Sequence, residues 1–398
     1  MITQRALFLQ YQAQTSDAPL MLEFERAEGM YIYDSSANAY MDIISGISVS
    51  NLGHRHPRVI KAAKEQMDKY TYLMVYGEYI QSPQVQLATK LGEVLPQKLS
   101  STFFVNSGSE AIEGALKLAK RYTGKRNIVA FKNAYHGSTH GCLSVIGDEF
   151  FRNSFRPLLP GVCHIDYNDE KQLHLITKDT AAVLIEPIQA EAGIKTPKND
   201  FLKKVKARCE EVGALMILDE IQTGYGRTGS LFAFEQFDII PDILCLAKGM
   251  GGGFQLGAFI SSKEIMDSLQ SEPWLGHITT FGGHPVSCAA GLAALETLID
   301  EKKSLIDTVK TKEEIFRQNL IHPKIKEIRS FGLMIALEFD NFQTNKAIID
   351  ECIQNGLLTD WFLFADNCLR IAPPLIICQE EIVQACNIIK EAIDKNCP

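Results

Sequence analysis

The sequence lacks any apolar run approaching the ~20 residues that cross a bilayer, and its opening, MITQRALFLQ, has no signal-peptide core. It lacks a basic excess: 40 Lys+Arg face 48 Asp+Glu, a formal net charge of −8. That argues against a nucleic-acid-binding surface, which needs a basic stripe. No two of its ten cysteines make a C-x-x-C pair, so neither a disulfide framework nor a zinc cage is expected, and the pattern suits reduced thiols in a cytoplasmic protein. It also has no low-complexity tract and no fixed-period repeat. What remains is ordinary globular material: 398 residues, 46% hydrophobic and 22% charged, enough for one large or two medium cores.

From about residue 100 the chain alternates short apolar, β-branched runs with amphipathic helical stretches, the pattern of a parallel α/β sheet. The expected strands are 101–106, 127–132, 162–167, 182–187, 215–220, 243–248 and 256–261. Several are apolar almost throughout, as strands buried on both faces should be. A helix is predicted over 110–122, with Gly124 as its stop signal. A long helical stretch is expected over about 286–318, then strands near 331–339 and 368–372 and a C-terminal amphipathic helix. The two strand-like runs MLEFERAEG and MYIYDSS are too few to form a core alone. The two ends are therefore expected to meet in a small α+β domain (1–48 with 291–398) beside a large α/β domain (49–290).

Three reactive side chains, Glu186, Asp219 and Lys248, fall at the carboxyl ends of predicted strands, the edge where open α/β sheets bind ligands. A lysine closing an apolar run is a candidate for a lowered pKa and Schiff-base chemistry. Asn106-Ser107-Gly108-Ser109-Glu110 joins a strand to a helix; it reads equally as an anion cradle or as a plain N-cap through Ser109. Gly224-Tyr225-Gly226-Arg227-Thr228-Gly229 matches G-x-G-x-x-G, but the aromatic-rich SLFAFEQFDIIPD behind it opens no long helix, so the match reads as accidental. His54-x-His56 and His136-x-x-x-His140 have no supporting carboxylate constellation, and no metal is expected.

Taken together, GISVSNLGHRHP (46–57), NSGSEAIEGALKLAK (106–120), AYHGST (134–139), EPIQAEAG (186–193), LDEIQTGYGRTG (218–229), LAKGMGGG (246–253), TTFGGHP (279–285) and LRIAPPL (369–375) resemble the class III aminotransferases. These are pyridoxal-phosphate (PLP) enzymes of fold type I, the aspartate-aminotransferase-like fold. The resemblance implies that Lys248 forms a Schiff base with the cofactor and then carries a proton. It implies that Asp219 pairs with the ring nitrogen, Gln222 with the ring oxygen, and Tyr135 with the ring face. Ser107, Gly108 and Ser109 would hold the phosphate, and Thr280 would reach it from the other subunit of a homodimer with shared active sites. Arg370 would clamp a substrate carboxylate, with Glu191 as a gate that pairs with it.

Two positions depart from the relatives. Ser138 stands where several branches carry an arginine for a second carboxylate, which leaves Arg152 or Arg156 as possible substitutes. Ile47 stands where ornithine-specific relatives carry a tyrosine. The function implied is transfer of an amino group from an ω-amino acid, amine or related donor to an α-keto acid, 2-oxoglutarate or pyruvate, by way of pyridoxamine phosphate. Acetylornithine-type transfer, a PLP aminomutase or decarboxylase, and a non-catalytic PLP-binding relative are the alternatives.

Overall fold

The computed structural model describes residues 3–397. All seven expected central strands form, in one sheet ordered Ser101–Val105, Gly257–Ser261, Ile243–Leu246, Leu215–Asp219, Thr180–Ile185, Asn127–Phe131, Val162–Ile165. The inner strands are buried along their whole length, as the continuous Val/Ile/Leu runs require. One strand departs from the parallel expectation. Gly257–Ser261 runs antiparallel to both neighbours. Only residues 247–256 separate it from Ile243–Leu246, too few for the crossover that a parallel return needs.

The helix Gly108–Thr123 packs a face of Ala111, Ile112, Ala115, Leu116, Leu118 and Ala119 into the core. Its N-cap is Ser107, not Ser109: the Ser107 hydroxyl accepts from the Glu110 N–H at 3.2 Å. Gly124 ends it in the left-handed region at φ +68°, as expected of a C-terminal glycine. The stretch expected as one helix over 286–318 is three: Pro285–Asp300, Lys302–Leu305 and Val309–Asn319. Pro285–Asp300 passes through position 290 unbroken, so the boundary drawn there lies inside a helix and not in a linker.

Near the N-terminus a third strand, Ala39–Asp42, joins Phe24–Glu28 and Tyr31–Asp34, and Leu357–Leu358 pairs with it in parallel. A third sheet is ordered Glu327–Ser330, Ile335–Glu338, Ala365–Ile371, Asp360–Phe362. No helix among the described residues is long and apolar enough to cross a membrane.

One side chain joins these parts. Arg227 is 0% exposed. It donates to the carbonyls of Leu333 and Pro373, to Ser45 Oγ at 3.1 Å and to Asn51 Oδ1 at 2.6 Å. None of these acceptors is a carboxylate, and burial pulls the guanidinium down from its ordinary pKa against the attraction of Asp42. Arg227→Met would leave four buried acceptors without this donor, and we expect a loss of at least ~3 kcal/mol, read as a lowered urea midpoint.

Candidate active site

At the carboxyl edge of the central sheet lies a cavity of ≈ 350 Å³. Ser107, Gly108, Ser109, Tyr135, Glu186, Asp219, Gln222 and Lys248 all line it, with Asn106 and His136. Eight residues singled out in the sequence thus converge from five separate segments.

Asp219 ends the strand Leu215–Asp219 and is 5% exposed. It accepts from the Ile221 N–H at 3.0 Å and from His136 Nδ1 at 2.8 Å; a carboxylate only accepts, so the ring nitrogen donates. His136 was not among the expected site residues. Its signal was its place between Tyr135 and Gly137. Glu186 accepts from the Tyr135 and Ala190 N–H groups at 3.2 and 3.1 Å. Burial, reinforced by repulsion from Asp219, pushes its carboxyl well above the usual range.

Lys248 follows the buried strand Ile243–Leu246 and sits at φ +50°. A non-glycine residue in the left-handed region marks a strained backbone. Burial draws the ammonium down to about 8; Arg370 adds to the effect, while Glu191, Asp219 and Glu186 oppose it.

Beside the cavity stands a buried ion pair. Arg370 Nη1 and Nη2 donate to the two oxygens of Glu191 at 2.8 and 2.9 Å, the fork geometry that makes Arg–carboxylate pairs strong. Gln222, which lines the cavity, donates to Glu191 at 2.9 Å and so connects the two groups. Burial works against the charge on Glu191, but Arg370 overrides it and holds the carboxyl down to about 2.

Not every expected residue reaches this place. Thr280, expected to serve the other subunit's site, is exposed, its carbonyl accepting from Tyr72 OH at 2.7 Å. Ser138 is exposed and bonds Tyr135 OH at 3.0 Å. Ile47 lies in a left-handed turn at φ +61°, outside the cavity lining. Arg152 and Arg156 are both engaged by Glu149, and neither lines the cavity. Of the other histidines singled out in the sequence, His54 is held by Asp42 at 2.8 Å and His140 by the Pro157 carbonyl at 2.8 Å.

The cavity suits a phosphorylated ring with an aldehyde. At one end, the first turn of Gly108–Thr123 presents free N–H groups to an anion. A Cβ on Gly108 would come within 2.8 Å of Ile221 Cδ1, and one on Gly137, at φ +119°, would strike Ser109. Both glycines keep this end open. At the other end are a buried carboxylate and a lysine whose amine is readily freed of its proton.

The lysine gives a test. The folded chain releases its proton near 8, the unfolded chain near the ordinary 10.5. Between those values the unfolded state binds more protons, so stability rises with pH across that window. In cofactor-free protein, Lys248→Met should raise the unfolding midpoint at pH 7. That gain should shrink as pH climbs through the window, and a pH-independent difference would contradict it.

Comparison with known proteins agrees with this geometry. The family model described as Aminotransferase class-III matches residues 11–393. The acetylornithine aminotransferase of Methanopyrus kandleri is 38% identical over 369 residues, 92% of each chain. The putrescine aminotransferase of Pectobacterium atrosepticum is 39% identical over 381 residues, 91% of this chain and 80% of that one. The ornithine aminotransferase of Toxoplasma gondii, a structure described with partial occupancy of PLP at its active site, superposes with a TM-score of 0.91 at 31% identity, covering 98% of this chain and 93% of that one. On sequence, fold and cavity alike, the chain belongs to the class III aminotransferases, enzymes of fold type I that move amino groups with pyridoxal phosphate.

Proposed function

We propose that this enzyme takes the amino group of an ω-amino or diamine donor and passes it to an α-keto acid with a single carboxylate, pyruvate in preference to 2-oxoglutarate. The observation carrying this reading is the cavity's arginine content. Among the described residues no arginine lines it; the one guanidinium beside it is Arg370, behind Glu191. With Ser138 at the departing position and Arg152 and Arg156 held by Glu149, a second carboxylate has no bidentate partner. A donor whose far end is neutral or cationic loses nothing by that. The putrescine aminotransferase relative is named for a diamine, a donor of this kind.

Bound pyridoxal phosphate supplies an electron sink that acidifies the carbon bearing the substrate nitrogen. Lys248 would hold the cofactor and then move a proton to and from that carbon. Asp219, oriented by His136, would hold a proton at the ring nitrogen. Gln222 would donate to the ring oxygen, Tyr135 would cover the ring face, and Glu186 would support the floor. The N–H groups of Ser107, Gly108 and Ser109 would bind the phosphate. Arg370 would receive the keto acid's carboxylate when Glu191 gives way.

The active unit is proposed to be a cytoplasmic homodimer with Thr280 of each chain completing the other's phosphate site. Ile278 and Phe281 flank Thr280 in the chain and are exposed, and exposed Tyr79 lines a cavity with Ile278, an apolar face that suits a subunit contact. All ten cysteines are free thiols, which suits a reducing compartment. The division into a large unit (49–290) and a small one (1–48 with 291–398) is proposed with the helix Pro285–Asp300 as its connecting rod.

The test is the cofactor's visible absorbance, followed as amines and keto acids are added in turn. Bleaching by diamines and recovery with pyruvate at lower concentration than with 2-oxoglutarate supports the reading; recovery favouring 2-oxoglutarate overturns the acceptor assignment. Lys248→Ala should abolish the borohydride-reducible adduct. Ser138→Arg should shift the kcat/KM ratio toward 2-oxoglutarate by about tenfold, the worth of one charged hydrogen-bonded contact.

A further inference from the structure

Arg370 has a second acidic neighbour that nothing in its sequence surroundings announces. Asp360 lies directly opposite it in the antiparallel pairing of Asp360–Phe362 with Ala365–Ile371. Asp360 Oδ1 sits 2.9 Å from Arg370 Nε on the side of the guanidinium away from Nη1, an ion pair without hydrogen-bond alignment, since neither atom has a hydrogen-bond partner. The Trp361 carbonyl accepts from Nη2 at 2.9 Å, and the Phe362 ring lies under the guanidinium at 4.5 Å. Thr359 Oγ1 donates to the Arg370 carbonyl at 2.7 Å, fixing the backbone beneath. Every residue from 359 to 362 therefore touches Arg370.

A guanidinium offers carboxylates two kinds of bidentate edge: end-on through Nη1 and Nη2, or side-on through Nε and a neighbouring Nη. Here Asp360 occupies the Nε side. Glu191 takes the end-on edge with both oxygens. A substrate carboxylate can thus enter only by taking the place of Glu191.

We propose that Asp360 is a positioning residue for Arg370: by holding the Nε side it keeps the end-on edge aimed at the site and makes the exchange between Glu191 and a substrate carboxylate one-for-one. Without it, once Glu191 leaves, only the Trp361 carbonyl and the Phe362 ring restrain the guanidinium, which gains freedom to turn, and its side-on edge is open. The keto acid then meets a mobile partner, whereas a donor without a carboxylate never uses Arg370 and is unaffected. This rests on Arg370 as the carboxylate clamp, the role given to it above.

The test compares two half-reactions of the holoenzyme: one with a primary alkyl diamine, one with pyruvate. Asp360→Ala should raise the pyruvate KM about tenfold or more, the scale of a misplaced binding group, with kcat nearly unchanged and the diamine reaction within about twofold. Asp360→Asn, which keeps an oxygen of the same reach on the Nε side, should restore the pyruvate KM to within about threefold. Asp360→Glu moves the carboxylate by one methylene and should behave like the alanine variant; it replaces that variant if the alanine protein does not fold. Equal losses in both half-reactions, no loss in either, or no rescue by asparagine overturns the inference. Arg370→Lys, which keeps a charge but not the fork, separates the two claims. If it raises the pyruvate KM while the Asp360 variants do not, the clamp stands and the role of Asp360 falls. If it leaves the pyruvate KM unchanged, the clamp itself is wrong.

Discussion

The architecture depends on a buried cation held by neutral oxygens. Arg227 lies eight residues beyond Asp219, yet its donors reach Ser45 and Asn51 near the N-terminus and the carbonyls of Leu333 and Pro373 toward the C-terminus. Backbone hydrogen bonds run alongside, Leu375 to the Asn51 carbonyl at 2.7 Å and Ala372 to that of Ile43 at 2.6 Å. Removing a charge from water costs several kcal/mol and is recovered only where the acceptors are complete and well placed. Four oxygens meet the Nη groups while Nε has no partner, so displacing any of these segments would cost the guanidinium further contacts. Because Pro373 follows Arg370 by three residues, the same contacts that seat the chain ends also set the clamp against the cofactor cavity.

Within the site, charge is divided between two groups that meet at Gln222. On the cavity floor, burial and repulsion from Asp219 push the Glu186 carboxyl well above its usual range. At the side, Glu191 and Asp360 share Arg370, and there the guanidinium keeps Glu191 ionised while burial pushes Asp360 up to about 6. Lys248 feels Glu191, Arg370, Asp219 and Glu186, with burial the largest influence. A lysine amine so placed loses its proton at a lower pH than in water, which suits a residue that must be both nucleophile and proton carrier.

Much of this was legible in the sequence because the physical demands are local. A strand buried on both faces must be apolar throughout, so all seven central strands announced themselves, and Asp219 and Lys248 stood out as the polar ends of such runs. Apolarity carries no direction, so the antiparallel course of Gly257–Ser261 was legible only in the shortness of the preceding connection. Ser107 and Ser109 are both good caps, and only the backbone turn decides between them. Asp360 and Arg227 were missed for a different reason: their partners are set by strand register and by contacts across more than a hundred residues, which no local pattern encodes. His136 was visible as a residue but not as the partner of Asp219, which lies on another strand.

The reversed strand has a consequence for how the protein is made. Ser101–Val105, which leads into the turn at Asn106–Ser109, is hydrogen-bonded in the sheet to Gly257–Ser261 alone. During synthesis, which proceeds from the N-terminus, it waits for more than a hundred and fifty further residues before its neighbour leaves the ribosome. Throughout that interval an apolar strand has both edges open, the condition under which nascent chains aggregate or recruit chaperones. The cradle at Asn106–Ser109 is thus among the last parts of the sheet to be assembled, and cofactor capture falls late in the life of the folding chain.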